Sequence, residues 1–315
     1  MRFSLMTEPQ LGGTYDQLLD LARWAESEGM VSFARSDHYY SGREPKPDAT
    51  DAFATLAGLG RETTSIRLCV LVSPVTFRHP AVIAKTAATI DQMSGGRLDL
   101  GVGTGWMDLE HDVFGMPFPE WSERFARLRD ALPYLRAAFD QDHASYQGEH
   151  YSIDAQVRPR PSGIRLVVGG QGPVKTPTLA GTYADEYNHF PTLPETLAPK
   201  IEVLRSAASA AGRDPEGIEI TIMGPIITGV NETDFHQRLA RMASERATDP
   251  DSLVDRWKQS GIPVGAPDEV RTALAALERA GVDRYYLQWI DLDDRQGLET
   301  TWNAVKDLAP GHTAS

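Results

Sequence analysis

Three features of the 315-residue sequence predict an α/β chain folded as a TIM (β/α)8 barrel. Short apolar runs alternate with segments of helical periodicity, a pattern that implies parallel strands joined by right-handed crossovers. Eight such units can be counted, the number that closes a barrel, and the length suits one barrel of about 250 residues with insertions. The turn after the first strand, Glu8-Pro9-Gln10-Leu11-Gly12-Gly13, lacks the Gly-x-Gly-x-x-Gly spacing expected there in an open doubly wound sheet.

Each element follows from local chemistry. Arg2–Met6 is a short apolar strand. The helix over 14–29 carries Leu18, Leu19, Ala22 and Ala25 at helical spacing and stops at Gly29. Strand Met30–Ser36 leads to helix 50–62. The continuous apolar run Ile66–Val72 reads as a strand covered on both faces. Helix 80–93 opens on Pro80, which the first helical turn tolerates. Strand 97–102 and helix 119–139 complete the fourth unit. An insertion over about residues 141–163, rich in Tyr, Gly, Pro and charge, reads as a small hairpin. Then come strand 165–168, helix 175–183, strand 186–190, helix 194–211 and strand 218–223. A polar helical insertion over about residues 231–262 precedes helix 268–280, strand 283–290 and helix 296–308. No low-complexity linker interrupts the chain, so residues 1–315 read as one domain.

A net charge of −13 excludes the broad basic face of a nucleic-acid binder, though not a local anion site. No run of about 18 apolar residues is present, so no membrane span is expected. The N-terminus enters a strand directly, without the apolar core of a signal peptide, and a cytoplasmic protein is expected. Cys69 is the lone cysteine, which rules out an intrachain disulfide. Its apolar flanks point to a buried structural thiol. The expected partner is a small-molecule substrate, not nucleic acid or membrane.

A TIM barrel carries its active site at the C-terminal ends of its strands. After the second strand stand Asp37 and His38, a pair suited to proton or hydride chemistry, since histidine titrates near neutrality and a carboxylate can set its tautomer. After the third, Arg78 and His79 either face an anionic ligand or are solvated loop charges. After the fourth comes Gly101-Val102-Gly103-Thr104-Gly105-Trp106, where glycines let backbone approach a ligand. Glu110 and His111 follow as candidate proton carriers, with an exposed helix start the favoured reading. After the fifth, Gly169-Gly170-Gln171-Gly172 leads into a helix, the design of an anion site. Asn188 and His189 lie at the end of the sixth strand; Asn188 reads equally as a ligand donor or a loop cap. No pair of ligating side chains lies on one helical face among Asp37, His38, Glu110, His111 and His189, so no metal is expected.

Taken in order, these motifs resemble the luciferase-like monooxygenases, and within them the branch that uses the deazaflavin coenzyme F420. The matching stretches are Ser36-Asp37-His38, Phe77-Arg78-His79-Pro80-Ala81, Ser94 through Trp106, Glu123-Arg124-Phe125, Gly148-Glu149-His150-Tyr151, Gly169 to Gly172 and Tyr183 to Asn188. They cover residues 1 to about 190; the remainder fits in general pattern. The resemblance implies a flavin-like ring over the barrel mouth, backed by a non-proline cis peptide at Leu71–Val72. It implies that Asp37 and His38 touch the ring and substrate, that Gly103, Thr104 and Gly105 lie near the ribityl chain, and that Gly169, Gly170, Gln171 and Gly172 hold the phosphate. His38 is then the principal acid–base residue, oriented or charged by Asp37, with Glu110 as a replacement acid. The implied cofactor is coenzyme F420, with FMN and a separate flavin reductase as the alternative, and a homodimer is implied as well. One departure stands out. The sugar-phosphate dehydrogenases of this branch carry a glutamate directly after Gly-Thr-Gly, where this chain has Trp106.

Overall fold

Strand β1 (Arg2–Thr7) pairs on one side with β2 (Ser32–Arg35) and on the other with the last strand, so the sheet closes on itself. In chain order the others are β3 (Arg67–Pro74), β4 (Leu98–Gly103), β5 (Ala144–Gln147), β6 (Ser152–Ala155), β7 (Arg165–Gly169), β8 (Glu186–His189), β9 (Glu219–Gly224) and β10 (Arg284–Trp289). The barrel order is β1-β10-β9-β8-β7-β4-β3-β2, all parallel, while β5 and β6 form a separate antiparallel hairpin. This computed structural model describes residues 1–42, 48–245 and 247–310. The fold is a TIM barrel.

Helix starts follow capping chemistry. Thr14 and Gln17 form a capping box before helix Tyr15–Ser27. The second helix begins at Ala52 rather than Thr50, because the Asp51 side chain accepts the Ala54 N–H and fixes the cap there. The insertion after β9 holds helices Glu232–Glu245 and Pro250–Gln259, which share a small apolar cluster of Phe235, Leu239, Ala243 and Leu253.

The barrel interior divides into two zones. Met6, Ala34, Cys69, Leu71, Val167, Met223 and Tyr286 form an apolar plug. Two residues before Tyr286 on the same strand face lies Arg284, fully buried, bonded to Glu186 and to Glu219 at 3.1 Å, with its guanidinium 4.8 Å from the Tyr286 ring. Cys69 is fully buried and its thiol pKa is pushed well up, chiefly by burial.

Strand β3 runs two residues past its expected end at Val72, and its register against β4 shifts between Val70 and Ser73. The Leu71–Val72 peptide is cis, as the resemblance implies. Here the glycines of β4 acquire a packing reason. A Cβ at Gly101 would lie 2.3 Å from the Val70 carbonyl oxygen and 2.7 Å from Val72 Cγ1, and one at Gly103 would lie 2.9 Å from Val72 Cγ2. The spacing of the glycine run therefore makes room for Val72.

Candidate active site

His38 stands three residues beyond the end of β2, and Glu110 lies in a short helix, Asp108–Val113, after β4. The fold brings them together across 72 residues: His38 Nδ1 is 2.8 Å from Glu110 Oε1, and Glu110 Oε2 accepts the Tyr39 N–H at 3.0 Å. Both carboxylate oxygens are thus engaged, and Glu110 is 1% exposed. This corrects the reading of Glu110 and His111 as an exposed helix start, since His111 is equally buried. The pairing assigns the proton on Nδ1 and leaves Nε2 as the free nitrogen, with no partner among the described residues. Trp106 meets the His38 ring edge-to-face at 5.5 Å and is itself exposed. Burial disfavours protonation of His38, but the Glu110 hydrogen bond and charge, with Glu8 and Asp37 adding to them, outweigh it and raise its pKa.

Asp37 makes no hydrogen bond to the His38 ring among the described residues, so of the two roles expected for it, orienting the ring and charging it, only the second holds. It is 1% exposed and bound by Arg78 through two hydrogen bonds of 2.5 and 3.2 Å. Arg78 also binds Asp51 at 2.7 Å and the Tyr39 hydroxyl, and its guanidinium lies 4.6 Å from the Phe53 ring centre. Two carboxylates already claim this cation, so it is neither a solvated charge nor an open anion site. Tyr39, stacked on Phe77 at 4.7 Å, belongs to the same wall. His79 is a helix cap: its Nδ1 accepts the Ala81 N–H at 3.1 Å.

Leu71 is buried and Val72 half-buried over Gly101, Gly103 and Gly169, where an added Cβ would sit within 3.0 Å of its methyl groups. Thr104 is half-buried, and Gly105 turns the chain at φ 77° beside Pro74 and Thr76.

The loop after β7 has a more restricted donor set than the sequence implies. The Gly170 N–H is spent on the Asn188 carbonyl at 3.1 Å, and the Gly170 carbonyl accepts the Tyr187 hydroxyl at 3.0 Å. Gln171 and Gly172 follow. Helix Lys175–Tyr183 then begins without a side-chain cap, so its first N–H groups remain available. Sequence reasoning missed two residues here. Thr176 packs against Gly172, where a Cβ would meet its Oγ1 at 3.0 Å. Lys200, 9% exposed, donates to the Gln171 carbonyl at 2.9 Å. Its signal was legible, because Lys200 interrupts the buried stripe Leu197, Ile201, Leu204 of helix Pro194–Ala210.

The remaining candidates are structural in geometry. His111 bonds the Met107 carbonyl through Nδ1 at 2.8 Å and the Thr76 hydroxyl through Nε2 at 2.7 Å. His189 donates from Nδ1 to the Phe190 carbonyl at 2.6 Å and meets Lys200 at Nε2. Burial lowers its pKa to about 4, the Lys200 charge adding to this against the Phe190 bond. Asn188 donates from its amide to the Thr221 hydroxyl, 2.9 Å away. Among the described residues no group of three or more His, Cys, Asp or Glu side chains is disposed to hold a metal ion.

The chain is 35% identical over 216 residues to an F420-dependent glucose-6-phosphate dehydrogenase of Kineococcus radiotolerans, a stretch covering 65% of this chain and 62% of that one. It is 32% identical to the F420-dependent glucose-6-phosphate dehydrogenase of Mycolicibacterium fortuitum, over 94% of this chain and 88% of the relative. The structure of an F420-dependent secondary alcohol dehydrogenase in complex with an F420-acetone adduct shares the fold, with a TM-score of 0.79 at 20% identity over 98% of each chain. The profile of the luciferase-like monooxygenases matches residues 1–284. The chain belongs to the luciferase-like monooxygenase family.

Proposed function

We propose that this protein is a coenzyme F420-dependent oxidoreductase that moves a hydride between the deazaflavin and a small organic substrate, with His38 carrying the companion proton. The observation that carries the reading is the His38–Glu110 pair at a strand end, one ring nitrogen held and the other free. The relatives named as F420-dependent enzymes support the choice of cofactor.

The residues present fit the cofactor. An uncapped helix N-terminus behind Gln171 and Gly172 suits its phosphate. Barrel order runs β7-β4-β3-β2, so with the phosphate at the β7 loop, Val72, the glycines of β4 and His38 beyond β2 would be the residues to hold the rest of the cofactor. When bound, the deazaflavin supplies a carbon centre that accepts or donates hydride. The protein's own part is proton handling. Glu110 holds Nδ1–H and fixes the tautomer, and Nε2 takes or gives the proton. Glu110 acts through His38 and is a positioning residue, not a separate acid. Asp37, clasped by Arg78, holds the loop from which His38 projects.

Trp106, where the family's sugar-phosphate dehydrogenases carry an acid, supports a substrate other than a sugar phosphate. The test is anaerobic turnover of F420 with a panel of secondary alcohols, aldehydes and glucose 6-phosphate, followed by deazaflavin absorbance. Reduction by a member of the panel, with glucose 6-phosphate poor, is expected. His38→Ala should lower that rate by about 10²–10⁴ with F420 affinity retained. Activity that requires dioxygen and reduced FMN would overturn the reading.

A further inference from the structure

Lys200 presents an unusual combination. It is nine-tenths buried, and no carboxylate pairs with it among the described residues. Its ammonium donates to the Gln171 carbonyl at 2.9 Å and to His189 Nε2 at 2.7 Å. The His189 ring is fixed as an acceptor, because its Nδ1–H is committed to the Phe190 carbonyl. Two of the three ammonium protons are used, both on neutral acceptors. A buried lysine without a counter-charge is costly and rare. This one lies directly behind a loop followed by a helix without a side-chain cap. Both features gain if an anion occupies the loop.

We propose that Lys200 is a positioning residue for the cofactor's phosphate: it pulls the Gln171 carbonyl inward, so that the loop's N–H groups face the ligand, and it supplies the missing positive charge from behind. This rests on the F420 reading for the identity of the ligand. The bond to Gln171 fixes the loop from the second side, since Tyr187 and Asn188 already hold Gly170. His189 serves Lys200 as a neutral acceptor, which accounts for a buried histidine that the proton chemistry leaves unused.

The test compares binding of F420 with binding of 8-hydroxy-5-deazariboflavin, which has the same ring and no phosphate. Apoprotein of the wild type, Lys200→Met and Lys200→Arg is titrated with each. Lys200→Met should weaken F420 by about 10- to 100-fold, the range of one charge-assisted hydrogen bond, and leave the phosphate-free analogue within about threefold. Lys200→Arg should recover part of the F420 affinity. Equal losses for both ligands would mean a purely structural role, and unchanged F420 affinity in Lys200→Met would also overturn the proposal. Should the wild type bind FMN in place of F420, the functional reading fails while Lys200 faces the same test with FMN against riboflavin. Binding of neither phosphate-bearing cofactor would overturn both.

Discussion

Glu110 shows how a single side chain changes meaning between sequence and structure. Its local pattern, two residues into a short polar helix, describes a solvated position, yet the helix turns it under His38. If Glu110 raises the His38 pKa, Glu110→Gln leaves burial, which favours the neutral ring, as the dominant influence. The His38 pKa should then fall, and any limb of the pH–rate profile that reports it should move to lower pH, whether His38 acts as acid or base. Ring NMR titration of wild type and variant measures this; an unchanged pKa would return Glu110 to the role of a bystander. Asp37 has a different fate. Asp37→Asn removes one partner of a buried pair with Arg78, and a loss of stability of about 3 kcal/mol is expected in urea unfolding. A loss below about 1 kcal/mol would show that Asp51 alone satisfies Arg78. His38 was legible because a histidine at a strand end is a local feature. Its partner was not, because the contact spans 72 residues.

At the scale of elements, β3 and β4 are matched. The glycine run of β4 was read as a site for ligand approach, and its first consequence is to admit Val72. A methyl group at position 101 meets backbone at the Val70 carbonyl, which cannot rotate away. Gly101→Ala should therefore cost at least about 2 kcal/mol of stability, the scale of overpacking in a tight core. Chemical denaturation decides it, and a near-neutral effect would mean that β3 shifts freely. Apolar runs and start or stop signals such as Pro80 and Gly29 made most strands and helices legible. The six-residue helix Asp108–Val113 was legible only as a helix start, and its buried face was not, since so short a helix has too few turns to show a period.

At the scale of the molecule, closure of the barrel was legible from repetition, whereas its charged interior was not. Arg284 meets Glu186 and Glu219 across 98 and 65 residues, a coincidence that no local window contains. Removing Arg284 leaves Glu186 fully buried with only Arg165, 4.0 Å away, as a counter-charge, while Glu219 keeps Arg165 and Arg2. Arg284→Met is expected to destabilise the fold by about 3–5 kcal/mol, and adding Glu186→Gln should recover part of the loss. Thermal unfolding of the single and double variants measures both, and strict additivity would show that the charges are not coupled.

The whole arrangement, a phosphate loop after β7, a floor at Val72 and a proton carrier at His38, is interpreted as an F420 site. Equilibrium titration of the apoprotein with F420 and with FMN tests that interpretation most directly. Micromolar or tighter binding of F420 with much weaker binding of oxidised FMN is the expected result, and FMN binding equal to or tighter than F420 would contradict it.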